Sequence, residues 1–230
     1  MIKQNKIEHV FFDLDHTLWD FDKNSALTFD FIFNMHQVKI KLEDFLKLYE
    51  PINLKYWKLY REEKVTKTEL RYGRLKDTFN VLKYQVNDNL IHQLSEDYID
   101  NLTNQNHLFD GTFDLLEYLK PNYKLHIITN GFEEAQHNKM KKSNLLHYFE
   151  TVTNSEMVGV KKPDPKIFNF ALDLAKANTN NSIMIGDNYE ADIQGALNIG
   201  LDAICFNYHK VEVGSEIKVV DHLLDLKKYL

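Results

Sequence analysis

The sequence predicts an α/β protein: a parallel sheet with helices on both faces, interrupted by a helical insertion. Three observations carry this. From Phe113 onwards amphipathic stretches alternate with short apolar runs, the rhythm of βα units. Those runs are continuous rather than alternating, as expected of strands covered on both faces. About a hundred residues separate the first run from the second, where a crossover needs about a dozen.

Taken in order, the first strand is Val10, Phe11 and Phe12 within HVFFDLDHTLW, spanning His9 to Trp19. It delivers Asp13 at its carboxyl end and Asp15 just beyond, where open α/β sheets bind ligands. Alone, this motif reads equally as a strand closed by an acidic turn. A helix is expected around Ala26 to Met35. Leu42, Phe45, Leu46 and Tyr49 recur at helical spacing, Pro51 interrupts, and Leu54, Trp57 and Tyr60 resume the period. Thr66 and Glu69 form a capping-box pattern opening a helix with Leu70, Phe79 and Leu82. Another helix follows Asn87, with Leu90, Leu94, Tyr98 and Leu102 on one side. Residues 18–107 are thus expected to be a small helical domain inserted into a core of 1–17 and 108–230. In that core, helix Phe113 to Leu119 leads to strand KLHIIT, helix Glu134 to Asn144 to a strand near Glu150 to Thr153, and helix Pro165 to Ala177 to SIMIGD. Ala191 to Asn198 leads to DAICF, with Gly200 ending the helix, and a last helix spans His222 to Leu230.

Bulk properties narrow the function. The chain has 230 residues, 43% hydrophobic and 27% charged, with a formal net charge of -6. That is ordinary globular composition, with no basic field for a nucleic-acid polymer. No apolar run approaches the ~20 residues that span a bilayer, and the start MIKQNKIEHV lacks a signal-peptide core, so a cytoplasmic protein without a membrane partner is expected. The single cysteine, Cys205, excludes an internal disulfide or thiolate cluster and reads as a core residue. The ten histidines show no HExxH spacing. Nothing in the sequence sets an oligomeric state.

Three further polar features fall at strand ends. Thr129, Asn130 and Gly131 follow KLHII, where a hydroxyl and loop amides suit an anion. Lys162 lies in GVKKPDP; Pro163 biases it towards extended backbone, and Asp164 and Pro165 suit the N-cap and first position of the next helix. Lys161 is expected to point elsewhere. Asp187 ends SIMIG, and Asp192 falls in the first turn of the following helix. Each has a bland reading as a turn, a cap or a solvated lysine. Together they put two acidic pairs, a hydroxyl and an ammonium at one sheet edge. Oxygen ligands beside a phosphate select Mg2+, and the chemistry implied is phosphoryl transfer with Asp13 as nucleophile.

The order DLDHT, IITNG, KKPDP and GDNYEAD resembles the four motifs of the haloacid dehalogenase (HAD) superfamily. The resemblance implies a Rossmann-like core, an essential Mg2+ and a helical cap domain inserted after the first motif. Carried over by position, Asp13 attacks phosphorus, and Asp15 protonates the leaving oxygen and then activates water. Asp13, Asp187 and the carbonyl of Asp15 hold Mg2+. Thr129 and the amides of Leu14, Asp15 and Asn130 cradle the phosphoryl oxygens, Lys162 neutralises charge, and Asp192 orients Lys162 or a metal-bound water. An aspartate at Asp15 disfavours dehalogenase and ion-pump activities, which lack it, and is kept by phosphatases and phosphomutases.

The segment Tyr49 to Leu75, with Asn53, Trp57, Tyr60, Gly73 and Arg74, is similar to the cap of bacterial pyrimidine 5'-nucleotidases acting on noncanonical nucleoside monophosphates. So is ITNGF followed by VGVKKPDPKIFNFAL. His16 departs from related sequences, which often have a small or acidic residue there. The resemblance implies a small phosphorylated metabolite, a nucleoside monophosphate, as substrate, with Asn53, Trp57, Tyr60 and Arg74 as candidate specificity residues. The alternatives are a phosphatase or phosphomutase for a sugar phosphate or other small phosphometabolite. A phospho-accepting regulatory module also uses Asp, Thr and Lys at a sheet edge, but needs neither the insertion nor Asp15.

Overall fold

The structure, a computed structural model, describes residues 6–230. They form two compact units, one running up to Phe21 and resuming at Asn106–Leu230, the other Asp22–Gln105.

In the first unit the strands are β1 (His9–Phe12), β2 (Lys124–Thr129), β3 (Thr151–Asn154), β4 (Ser182–Gly186), β5 (Asp202–Phe206) and β6 (Lys218–Val220). They make one parallel sheet in the order β3-β2-β1-β4-β5-β6. The chain leaves β1 on one side for β2 and β3 and returns on the other for β4, so β1 and β4 flank the point where strand order reverses. Ligands of open α/β sheets bind outside the carboxyl ends there. β1 is buried along its whole length, which explains its unbroken apolar run.

The second unit is helical. α1 (Phe21–Met35) enters it, and α2 (Leu42–Arg61), α3 (Lys67–Val81) and α4 (Asp88–Leu102) follow. Thr66 caps α3 reciprocally with Glu69, and Asn87 caps α4 by accepting from the Leu90 amide. Phe29, Phe45, Tyr49, Phe79 and Tyr98 make its aromatic core. Pro51 does not interrupt α2, which is one helix of 20 residues. A proline removes a single amide from the ladder, and the buried stripe Phe45, Tyr49, Asn53 runs across it unbroken.

In the first unit α5 (Thr112–Leu119), α6 (Glu133–Lys142), α7 (Ser155–Val158), α8 (Pro165–Ala175) and α9 (Gly195–Asn198) connect the strands. Asp164 caps α8 through the Lys166 amide, with Pro165 in the first turn. Ile167, Phe168, Ala171, Leu172 and Ala175 then pack in a cluster with Phe11, Met184 and Cys205 of the sheet. Gly200, at φ 79°, closes α9. Four features differ from expectation, one being the single-turn helix α7 after β3. β6 is a sixth strand, too short at three residues to register as a periodic run. The segment after β4 starts as a π-turn, Tyr189–Gln194, before α9, and the last helix is a 3-10 stretch, Leu223–Lys228. No described helix is long and apolar enough to cross a membrane.

His126 of β2 is fully buried; its Nε2 lies 3.0 Å from His9 Nδ1 and its Nδ1 2.9 Å from the Thr151 hydroxyl. Burial, followed by His9 and Lys124, pushes its pKa down to about 4. Unfolded, it takes up a proton below 6.5, so between those values the unfolded chain binds the extra proton. Stability is then complete above about 6.5 and falls as pH drops towards 4, by an amount of the order of 3 kcal/mol. Thermal melts from pH 7 to 4.5 are expected to show His126→Phe losing stability less steeply than wild type, by about one proton. Equal slopes contradict this assignment.

Candidate active site

The carboxyl edge of the sheet gathers its polar groups around one buried ammonium. Asp13 follows β1, its amide donating to the Ile185 carbonyl of β4 at 2.9 Å. Lys162, on the loop before α8, is 1% exposed. Its Nζ lies 2.5 Å from Asp13 Oδ1, 2.7 Å from Asp192 Oδ1 and 2.7 Å from the Ile128 carbonyl of β2. The ammonium donates hydrogen bonds to Asp13 Oδ1 and the Ile128 carbonyl and pairs with Asp192 by charge. Asn130 fixes where that side chain leaves the backbone: its Oδ1 accepts from the Lys162 amide and its Nδ2 donates to the Lys162 carbonyl.

Asp192 comes from the π-turn after β4, and its Oδ2 accepts from the Asn188 amide at 3.0 Å. It presses on Gly186, where a Cβ would stand 2.3 Å from Asp192 Oδ2; only glycine leaves that room. Asp187, 5% exposed, accepts from the Thr17 hydroxyl at 3.2 Å and lies 3.1 Å from His209 Nε2.

Asp13, Asp187 and Asp192 bring carboxylate oxygens within 4.8 Å of one another. Against the single ammonium of Lys162, three ionised carboxylates leave a formal excess of two negative charges. Burial raises the pKa of Asp13 well above the usual carboxylate range, and Asp192 and Asp187 add to it against the opposing pull of Lys162. Asp192 is raised for the same reasons. Burial alone would lower the pKa of Lys162, but Asp13 and Asp192 outweigh it and raise it. A buried, oxygen-only set with two surplus charges fits a hard divalent cation.

Thr129 ends β2, and its Oγ1 accepts from the Gly131 amide at 3.1 Å and from Gln136 Nε2 at 2.7 Å. Leu14 is buried, and its carbonyl accepts from Leu18 and Trp19, closing the loop that carries Asp15. The Asp15 carboxylate is held by two residues of α6 that the motif reading does not single out. Lys139 Nζ lies 2.6 Å from its Oδ1 and Gln136 Nε2 2.9 Å from its Oδ2. Lys139 is itself 3% exposed and stands 4.4 Å from the Trp19 ring centre, a cation-π seat. A signal existed: Gln136, Lys139 and Met140 have the i, i+3, i+4 spacing of a buried stripe, but polar residues fill two of its places.

In the helical unit, Arg74 and Asn53 are buried and joined, Nη1 to Oδ1, at 2.9 Å, with the guanidinium over the Tyr49 and Tyr98 rings. Trp57 and Tyr60 are half-buried and meet edge to face at 5.8 Å. Cys205 lies in β5 and is fully buried in the core cluster, and that burial, with Asp187 and Asp192, pushes its thiol up to about 11.

Residues 10–206 match the haloacid dehalogenase-like hydrolase family. The chain is 33% identical over 211 residues to pyrimidine 5'-nucleotidase YjjG of Escherichia coli, covering 90% of this chain and 89% of the relative. It is 32% identical over 203 residues to pyrimidine 5'-nucleotidase PynA of Streptococcus pneumoniae, covering 87% and 84%. A magnesium-bound crystal structure of YfnB from Bacillus subtilis superimposes with a TM-score of 0.88 at 27% identity, over 98% of this chain and 99% of that one. With the motif order, the sheet topology and these relatives in agreement, the chain belongs to the haloacid dehalogenase-like hydrolase family.

Proposed function

We propose that this protein is a Mg2+-dependent phosphomonoesterase acting through an aspartyl-phosphate on Asp13, with a pyrimidine nucleoside 5'-monophosphate as substrate. The observation that carries the chemistry is the buried trio of carboxylates around Lys162 with its two surplus charges. Its relatives YjjG and PynA, which carry the name pyrimidine 5'-nucleotidase, support the substrate class.

Asp13 and Asp187, with the carbonyl of Asp15, would hold Mg2+, which supplies charge neutralisation to the phosphoryl oxygens. A carboxylate oxygen of Asp13 attacks phosphorus, and the bond from phosphorus to the nucleoside oxygen breaks. Asp15 gives that oxygen a proton. It then takes one from the water that attacks phosphorus, restoring Asp13 and releasing phosphate. Lys162 keeps Asp13 aimed and offsets charge on nucleophile and phosphate. Thr129 and the amides of Leu14, Asp15 and Asn130 cradle the remaining oxygens, and Asp192 orients Lys162. The helical unit is the cap that selects substrate. Within it, the mutual pairing of Asn53 and Arg74 supports a bracing role for both, and half-buried Trp57 and Tyr60 are the candidates to stack on a base.

Phosphate release from dUMP, UMP and dTMP is expected with Mg2+ and not with EDTA, and Asp13→Asn should lower it roughly 10³-fold or more. Turnover of a sugar phosphate with none of these three contradicts the nucleotide assignment. Lys139→Met should lower kcat on a nucleotide by ~10- to 100-fold, with a smaller loss on p-nitrophenyl phosphate, whose leaving group needs no proton. Lys139→Arg should recover part of the loss. Equal losses on both substrates would assign Lys139 to stability alone.

A further inference from the structure

Beside the carboxylate trio stands a second, chemically different group of donors. His16 and His209 bring imidazole nitrogens to Asp187, the three ligand atoms lying within 4.8 Å of one another. The His209 Nε2 already points at Asp187 Oδ2, 3.1 Å away, and the Thr17 hydroxyl holds Asp187 Oδ1. His16 follows Asp15 in the loop after β1. It takes a left-handed backbone, φ 61°, and its amide donates to the Trp19 carbonyl. Its ring is packed between Phe21 at 5.0 Å and Tyr208 at 5.4 Å, with the His209 ring at 4.8 Å. The two imidazoles therefore come from different loops, and packing sets the His16 ring beside that of His209.

We propose that His16, Asp187 and His209 form a site for a divalent transition-metal ion of the Zn2+ or Co2+ kind, sharing Asp187 with the all-oxygen site. Two imidazoles and one carboxylate favour such ions, whereas Mg2+ prefers oxygen alone. Ligand bonds of about 2.0–2.2 Å place neighbouring donors of a tetrahedral ion about 3.4 Å apart. The His209 to Asp187 spacing meets this already, and closing the rest takes a shift of the order of 1 Å. One coordination position stays open to water. Because both sites draw on Asp187 and would hold two dications side by side, a transition ion and Mg2+ compete through the shared carboxylate and their mutual repulsion, which gives the enzyme a metal-dependent brake. The competition rests on the Mg2+ reading proposed above; the binding site itself does not.

The test is a Co2+ titration of the metal-free protein followed by its visible absorption, compared with His16→Asn, a residue that tolerates left-handed backbone, and His209→Gln. Wild type should gain bands of nitrogen-ligated Co2+, and excess Mg2+ should erase them. Each variant should keep its far-UV circular dichroism yet bind Co2+ more than about 10-fold more weakly, since even outer-shell changes cost 10- to 100-fold. Unchanged bands and affinity in both variants overturn the site. Bands that survive excess Mg2+ overturn the competition and the brake. Intact Co2+ binding without any Mg2+-dependent phosphate release contradicts the proposed function instead and leaves the site standing.

Discussion

The buried ammonium of Lys162 is the interaction on which the rest of the site depends. It ties Asp13 after β1 to the Ile128 carbonyl of β2 and to Asp192 after β4, so three neighbouring strand ends are cross-linked by one group. An ion this deeply buried is costly unless it is paired and hydrogen-bonded, and here two carboxylates face it and two of its donors are met by Asp13 and the Ile128 carbonyl. Removing one partner of such a pair typically costs about 3–5 kcal/mol, because the remaining charges stay buried without it. The loop that places Lys162 is fixed in turn by Asn130 on one side and by the Asp164 cap of α8 on the other.

The same arrangement sets the electrostatics. One ammonium cannot balance Asp13, Asp187 and Asp192, and burial amplifies the mismatch, which raises Asp13 and Asp192 above their ordinary range. A divalent cation would relieve this strain in charge. Asp15 stands apart electrostatically, bound to Lys139 and Gln136 of α6. The proposed nucleophile and the proposed acid-base group are therefore held by separate cations from separate elements, which lets each carboxylate be oriented independently.

Much of this was legible in the sequence because the signals were local. A strand buried on both faces reads as the unbroken run Val10 to Phe12, a capping box reads as Thr66 with Glu69, and Asp164 with Pro165 marks a helix start. The features that were hidden depend on tertiary context. Lys139 and Gln136 sit in a polar helix, EEAQHNKMKK, and only the approach of Asp15 and Trp19 makes burial of a lysine there worthwhile. Pro51 looked like a break because propensity is local, whereas the aromatic stripe that carries α2 through it belongs to the folded unit. β6 has three residues and gains its identity only from pairing with β5. His16 gave no metal signal, since its partners Asp187 and His209 lie far along the chain.

The central claim is that Asp13 carries the phosphoryl group covalently before water removes it. The stereochemical course at phosphorus tests this most directly, using a nucleoside monophosphate made chiral with oxygen isotopes under conditions where an acceptor alcohol replaces water. Two successive in-line displacements, first by Asp13 and then by the acceptor, predict net retention of configuration. Net inversion would mean a single direct displacement and would contradict the account.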